Sequence, residues 1–234
     1  MDLKSHSLMA GSPKKESHVD LAIRPANSRH GPRPMRRLRM RKGADRAYHE
    51  IALAGPSVIG SGWAALTKTS TSGKRQIIAI FIPGDQIGFP DQMALPSHVD
   101  ITALSTVDFY SAETSRSATR PPLSALLLNQ IFRADLDGPE RLVHLFLELH
   151  ERLQAAGLAP ETFFNTPLTQ EQISATVGMS PVHVSRILTK LKADGLISLQ
   201  DRKLCLLNRD RLLEMCEYKS FFATQRHCAV GKKA

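Results

Sequence analysis

Hydrophobic and polar positions divide this chain into two textures. Between residues 43 and 115 they mark short strands separated by turns, and beyond about residue 116 the apolar period switches from 2 to 3.6. Residues 63–70 and 75–82 flank Thr71, Ser72, Gly73 and Lys74, which is a hairpin signal. Ile77, Ile78, Ile80 and Ile82 make the second of these strands β-branched enough to be buried. Pro83, Gly84 and Asp85 stop it with a turn, and shorter strand-like pieces follow at 86–89, 99–104 and 107–111. The pattern predicts a small β-roll or barrel.

The helical texture opens at Pro121 and Pro122, which suit a first helical turn, after which Leu123, Leu126, Leu127 and Ile131 share one face. An isolated amphipathic helix of about four turns is marginal alone, so this stripe is expected to be covered by a second copy of the chain. Gly138 and Pro139 break that helix. The next runs over 139–156, with Leu142, Leu145, Phe146, Leu149 and Leu153 inward and Gly157 as its stop.

The most specific stretch is residues 168–197. Thr169 can cap a helix whose inner face is Ile173 and Val177, Gly178 supplies a tight turn, and Ser180 with Pro181 starts a second helix that buries Val184, Ile187, Leu188 and Leu191 and ends at Gly195. Small Ser174 stands where the two helices must approach. This is the spacing of a helix-turn-helix. Residues 196–199 and 204–207 bracket Gln200, Asp201, Arg202 and Lys203 as a two-stranded wing.

The N-terminal part of a recognition helix reaches base edges in the major groove. Arg186 could fork onto guanine O6 and N7, Ser185 pairs with several bases, and Val182 or Pro181 could touch a thymine methyl. Thr169, Gln170, His183, Lys190 and Arg202 are expected nearer to phosphates, and Lys203 is the second positive charge of the DNA-binding wing. The plainer alternative for Arg186 is a structural pair with Asp194 or Glu171. Double-stranded DNA is the expected partner.

Charge sharpens this picture. The net charge is +9, but residues 1–46 hold 12 of the 31 basic and 4 of the 22 acidic side chains, which leaves 19 against 18 for the rest. The surplus belongs to a basic tail, either drawn to nucleic acid or anionic surfaces or simply solvated. With 42% apolar, 23% charged and 6% aromatic residues the composition is that of a globular protein, and no apolar run approaches a membrane span. Cys205, Cys216 and Cys228 form no C-x-x-C pair, and a cytoplasmic location fits them. Cys205 is expected to be buried, with Cys216 and Cys228 as candidate exposed thiols.

No P-loop, nucleophile elbow or other catalytic constellation is visible, so no enzymatic activity is expected. The run from Gly60 to Ala65 echoes a dinucleotide loop, but strand and hairpin follow it in place of a helix. His144 and Glu148 share a helix face, which is more often packed or solvated than metal-binding. No metal site is expected.

Several motifs together resemble the Crp/Fnr family of bacterial transcription regulators. They are Gly62-Trp63-Ala64, the run from Gly73 to Ile77, Pro83-Gly84-Asp85 with Ile87-Gly88, and the stretch from Pro167 through Val184-Ser185-Arg186-Ile187-Leu188. The likeness implies an α+β architecture: a β-roll of the cyclic-nucleotide-binding type that senses an effector, a dimerisation helix, and a winged helix-turn-helix that binds palindromic operators as a homodimer. It also implies RNA polymerase as a partner. The corresponding division is a tail at 1–42, the β-roll at 43–115, the dimerisation helix at 116–137, the DNA-binding domain at 138–217 and a second tail at 218–234. Cyclic-AMP-binding relatives hold the phosphate with a Gly-Glu pair and an Arg-Ser/Thr run. Here those positions are Phe89, Ser97 and His98, and no cysteine precedes residue 205, so neither cyclic AMP nor an iron-sulfur cluster is expected. The effector is unknown. The alternative function is a β-roll docking module that acts on a protein partner and binds DNA weakly.

Overall fold

A computed structural model of the chain describes residues 37–88, 98–111 and 122–220. Eight antiparallel strands form two four-stranded sheets. The first contains β1 (Arg37–Met40), β8 (Val107–Ser111), β3 (Ser57–Ser61) and β6 (Gln86–Ile87), in that order. The second contains β2 (Asp45–Ala47), β7 (Val99–Ala103), β4 (Ala64–Thr69) and β5 (Arg75–Phe81). A short helix, α1 (Tyr48–Leu53), links β2 to β3. The expected hairpin is β4–β5, with Gly73 at a positive φ of 78° in its turn.

The basic pattern places Arg37–Met40 in the tail, but they form an edge strand. Arg37 and Arg39 reach the same carboxylate, Asp108 on β8, while Met40 enters the core. Alternation of arginines outward and apolar residues inward is a half-buried strand written in charged letters. Residues 1–36 of the expected tail lie outside the described residues, as do Phe89, Ser97, Pro121 and Cys228.

Strand β5 is buried on both faces, as its isoleucines predict. Ala79 and Phe81 enter the core between the sheets with Leu66, Ile101 and Phe109, whereas Ile77, Ile80 and Ile82 join a second core with the helices. A bulge between Leu66 and Thr67, where Ala79 and Ile77 are the successive partners, skips Ile78 and shifts the alternation. That shift lets residues three apart, Ile77 and Ile80, share a face.

Helix α2 (Leu123–Ala134) packs on β5 and against helix α3 (Gly138–Ala155), whose buried leucines share the core of Ile77, Ile80 and Ile82. Asp137 caps α3 in a full capping box with Glu140, so Gly138 and Pro139 open α3 and the break falls at residues 135–137. Then come β9 (Phe163–Asn165), α4 (Gln170–Val177), α5 (Pro181–Ala193), β10 (Ile197–Gln200), β11 (Lys203–Leu206) and α6 (Arg209–Met215). Strand β9 adds a third strand to the expected two-stranded wing, in the order β10-β11-β9.

Two expectations about α2 and the cysteines need correction. Leu123 and Leu126 are buried in the chain's own β-roll core with Leu127 packed beside them, so only Ile131 of the predicted stripe faces outward. The most exposed apolar residues of α2 are instead Leu128, Ile131 and Phe132, at 45%, 65% and 58% exposure. A helix lying on a sheet buries one face locally, and periodicity alone does not say which of two adjoining leucine rows that is. Cys216 is buried and Cys205 is half-buried, the reverse of the expected order. Burial pushes the Cys216 thiol up to about 11, which leaves it protonated and unreactive.

Candidate nucleic-acid interface

The helix-turn-helix is built by local chemistry. Thr169 Oγ1 accepts from the Gln172 backbone N–H at 3.2 Å while Gln172 Oε1 accepts from the Thr169 N–H at 2.9 Å, a reciprocal cap on α4. Gly178 closes the helix with φ of 70°, a left-handed conformation that suits glycine. Ser180 then caps α5 through the His183 N–H, and Pro181 occupies the first turn, where its missing donor costs nothing. Ile173, Val177, Val184, Ile187, Leu188 and Leu191 are buried as the pattern predicts. Ser174 is buried at the helix crossing, its hydroxyl donating to the Gln170 carbonyl at 2.8 Å.

The polar face of α5 lies open. Pro181, Val182, His183, Ser185, Arg186, Thr189 and Lys190 are all exposed, Val182 at 62%. Among the described residues Arg186, Lys190, Arg202 and Lys203 enter no ion pair. The structural pairing of Arg186 with Asp194 or Glu171 is therefore not made. Four cations without protein counter-ions, two on the recognition helix and two on an adjacent wing, suit a polyanion.

Three other residues of the expected interface also carry structure. Gln170 Nε2 donates to the Pro181 carbonyl at 2.8 Å and ties α4 to the start of α5. The His183 ring rests against Gly138, where an added Cβ would lie 2.9 Å from Nε2. Lys203 Nζ stands 3.7 Å from the ring centroid of Phe163 on β9, a cation–π contact that fixes its ammonium. Phe163 was missed by sequence reasoning, since a three-residue strand has no period to detect. Arg202 sits at the wing tip with φ of 63°, beside Asp201 at 47°.

A helix pair of this geometry with an adjoining three-stranded wing is a winged helix-turn-helix DNA-binding domain. Residues 140–215 match the Crp-like helix-turn-helix domain. The chain is 24% identical over 167 residues to the nitrogen fixation regulation protein FixK of Rhizobium meliloti, covering 68% of this chain and 76% of that one. It is 27% identical over 198 residues to the transcriptional activator protein FnrL of Cereibacter sphaeroides, covering 71% and 79%. Among solved structures it is similar to FixK2 of Bradyrhizobium japonicum, with a TM-score of 0.60 at 20% identity over 80% of this chain and 99% of that one. A Crp/Fnr-family regulator of Thermus thermophilus superposes with a TM-score of 0.57 at 19% identity, over 79% and 100%.

Residues 140–215 thus carry a Crp-like helix-turn-helix domain, and over about two thirds of its length the chain is similar to transcription regulators of the Crp/Fnr type. That domain is a DNA-binding one of the kind found in transcription regulators. Among the described residues no helix is long and apolar enough to cross a membrane.

Proposed function

We propose that the protein regulates transcription in the cytoplasm as a homodimer, each copy placing α5 in the major groove of one half of a palindromic operator. The observation that carries this is the open face of α5, with Arg186 exposed and unpaired on its second turn. In this reading Arg186, Ser185 and Val182 touch base edges, while Thr169, Lys190, Arg202 and Lys203 approach phosphates. Gln170 and His183 act chiefly by holding α5 in place.

The dimer forms through Leu128, Ile131 and Phe132 of α2, with Leu127 at the margin. Three large apolar side chains in adjoining turns form a contiguous patch of the kind that associates. The β-roll serves as the effector-sensing unit without cyclic AMP or an iron-sulfur cluster, and RNA polymerase is the partner at promoters. Selection of bound sites from random DNA tests the reading directly. A palindromic consensus bound by a dimer supports it, and recovery of no consensus refutes it.

A further inference from the structure

Four charged side chains form one hydrogen-bonded chain between the β-roll and the DNA-binding domain, each almost closed to solvent: Asp85, Arg152, Glu148 and Arg133. Asp85 lies in the turn after β5, Glu148 and Arg152 on α3, and Arg133 on α2. Arg152 Nη2 donates to Asp85 Oδ2 at 2.5 Å and to the Ile80 carbonyl at 2.8 Å, while its Nη1 donates to Glu148 Oε1 at 3.0 Å. Arg133 Nη2 pairs with the other Glu148 oxygen, and Nη1 donates to Gln130 Oε1 at 2.5 Å. Gln130 Nε2 in turn donates to the Thr176 carbonyl in α4 at 2.9 Å. A continuous path therefore runs from a β-roll turn to the first helix of the helix-turn-helix.

Two cations and two anions cancel, so the chain is neutral as a unit. Buried ions are a poor adhesive, because their attraction offsets the loss of hydration only when every partner is in place. The same requirement makes them directional: an apolar interface can slide by an ångström, but this one cannot without stranding a charge. The exposed face of α5 is uncovered in this arrangement, so the chain orients the reading helix and does not hide it. Arg133 also sits on α2, the helix whose opposite face presents Leu128, Ile131 and Phe132.

We propose that this ionic chain sets the half-site spacing the protein accepts, with Asp85, Arg152, Glu148 and Arg133 as positioning residues. It fixes each recognition helix at one distance and one twist from the dimer axis. Two half-sites are then engaged together only when the DNA presents them at that separation. The proposal rests on the homodimer-on-palindrome reading above.

The test uses the full chain and the operator found by selection, with one or two base pairs inserted or removed between half-sites. Wild type is expected to lose at least about tenfold in affinity on altered spacing. Arg152→Gln, and the apolar pair Asp85→Leu with Arg152→Met, are expected to reduce that ratio below about threefold while still discriminating a matched from a mutated half-site. Gln130→Ala leaves all four ions and their mutual pairs in place and removes the link to Thr176 together with the Arg133 Nη1 acceptor, and it is expected to relax spacing in the same direction. Cooperative melting identifies the variants that fold. Unchanged spacing selectivity in Gln130→Ala and in every folded ion variant overturns the proposal, as does a wild type indifferent to spacing. A wild type that binds no preferred sequence, or binds as a monomer, would instead refute the function on which the proposal stands.

Discussion

Gly138, in the first turn of α3, and His183, in the first turn of α5, touch where two helices of the DNA-binding domain begin. A Cβ on Gly138 would lie 2.9 Å from His183 Nε2 and 3.3 Å from both the Ile187 Cδ1 and Met179 Sδ atoms. This is too close for the imidazole to stay where it is. Gly138→Ala is therefore expected to turn the exposed His183 ring aside at little cost in stability, since only the end of a flexible side chain must move, and to weaken operator binding as far as that ring positions α5. Adding His183→Ala should then cost little further affinity, and electrophoretic mobility shifts with the single and double variants measure both effects.

Arg186 and Arg202 are expected to fail differently. Arg186→Ala removes a base-edge fork, costing about 1–3 kcal/mol on the operator and relaxing preference at one guanine per half-site, with little change on random DNA. Arg202→Ala should weaken operator and random DNA alike and reduce the salt slope by roughly one unit per subunit. Salt titrations on both DNAs separate the two. Equal losses for both variants on both DNAs would remove Arg186 from the base-reading role.

The dimer prediction concerns the outward row of α2. Ile131→Glu or Phe132→Glu places a charge on an exposed apolar patch, so the monomer should keep its thermal midpoint within a few degrees while the dimer dissociates at micromolar concentration. Leu126→Glu should unfold the β-roll, because that leucine is buried in its own chain. Light scattering alongside melting curves distinguishes the rows.

Acid should destabilise the protein through His144. Burial, reinforced by the Arg133 guanidinium whose Nε faces Nδ1 at 3.5 Å, holds this imidazole down at about 4, while Glu148 works in the opposite direction. The unfolded chain takes up that proton nearer pH 6.5, so the unfolded state binds more protons between the two values. Stability is therefore complete above about pH 6.5 and declines as pH falls toward 4, by roughly 3 kcal/mol at most from this group. Urea melts across that range should show a shallower decline in His144→Gln.

Calorimetric titration with cyclic AMP or cyclic GMP is expected to show no saturable binding. The expectation rests on the family resemblance, in which Phe89, Ser97 and His98 correspond in sequence to the acidic residue and the arginine run of cyclic-nucleotide-binding relatives.

Sequence made the DNA-binding half legible because its structure is dictated locally. Thr169 with Gln172, Gly178, and Ser180 with Pro181 each determine a helix end within four residues, and the buried faces of α4 and α5 follow from spacing alone. The first half of the β-roll was harder to see. Strand β1 is hidden in a run of arginines, and β3 contains Gly60, which reads as a breaker until Tyr110 is seen lying where a Cβ would be. The face of α3 bearing His144, Glu148 and Arg152 has the spacing of a solvated stripe. Its burial depends on Arg133, 11 to 19 residues earlier in the chain, and on Asp85, from another domain, and no local pattern encodes such partners.

The wing turn has one more consequence. Asp201 and Arg202 both adopt left-handed backbone in a two-residue hairpin loop that Asn-Gly would occupy without strain. Keeping a guanidinium at the tip costs about 1 kcal/mol or more in backbone energy. Replacing the pair by Asn-Gly should therefore raise the melting temperature while weakening the grip on DNA. A screen for thermal hardiness alone would steadily erode this turn, and a screen for promoter occupancy would restore it.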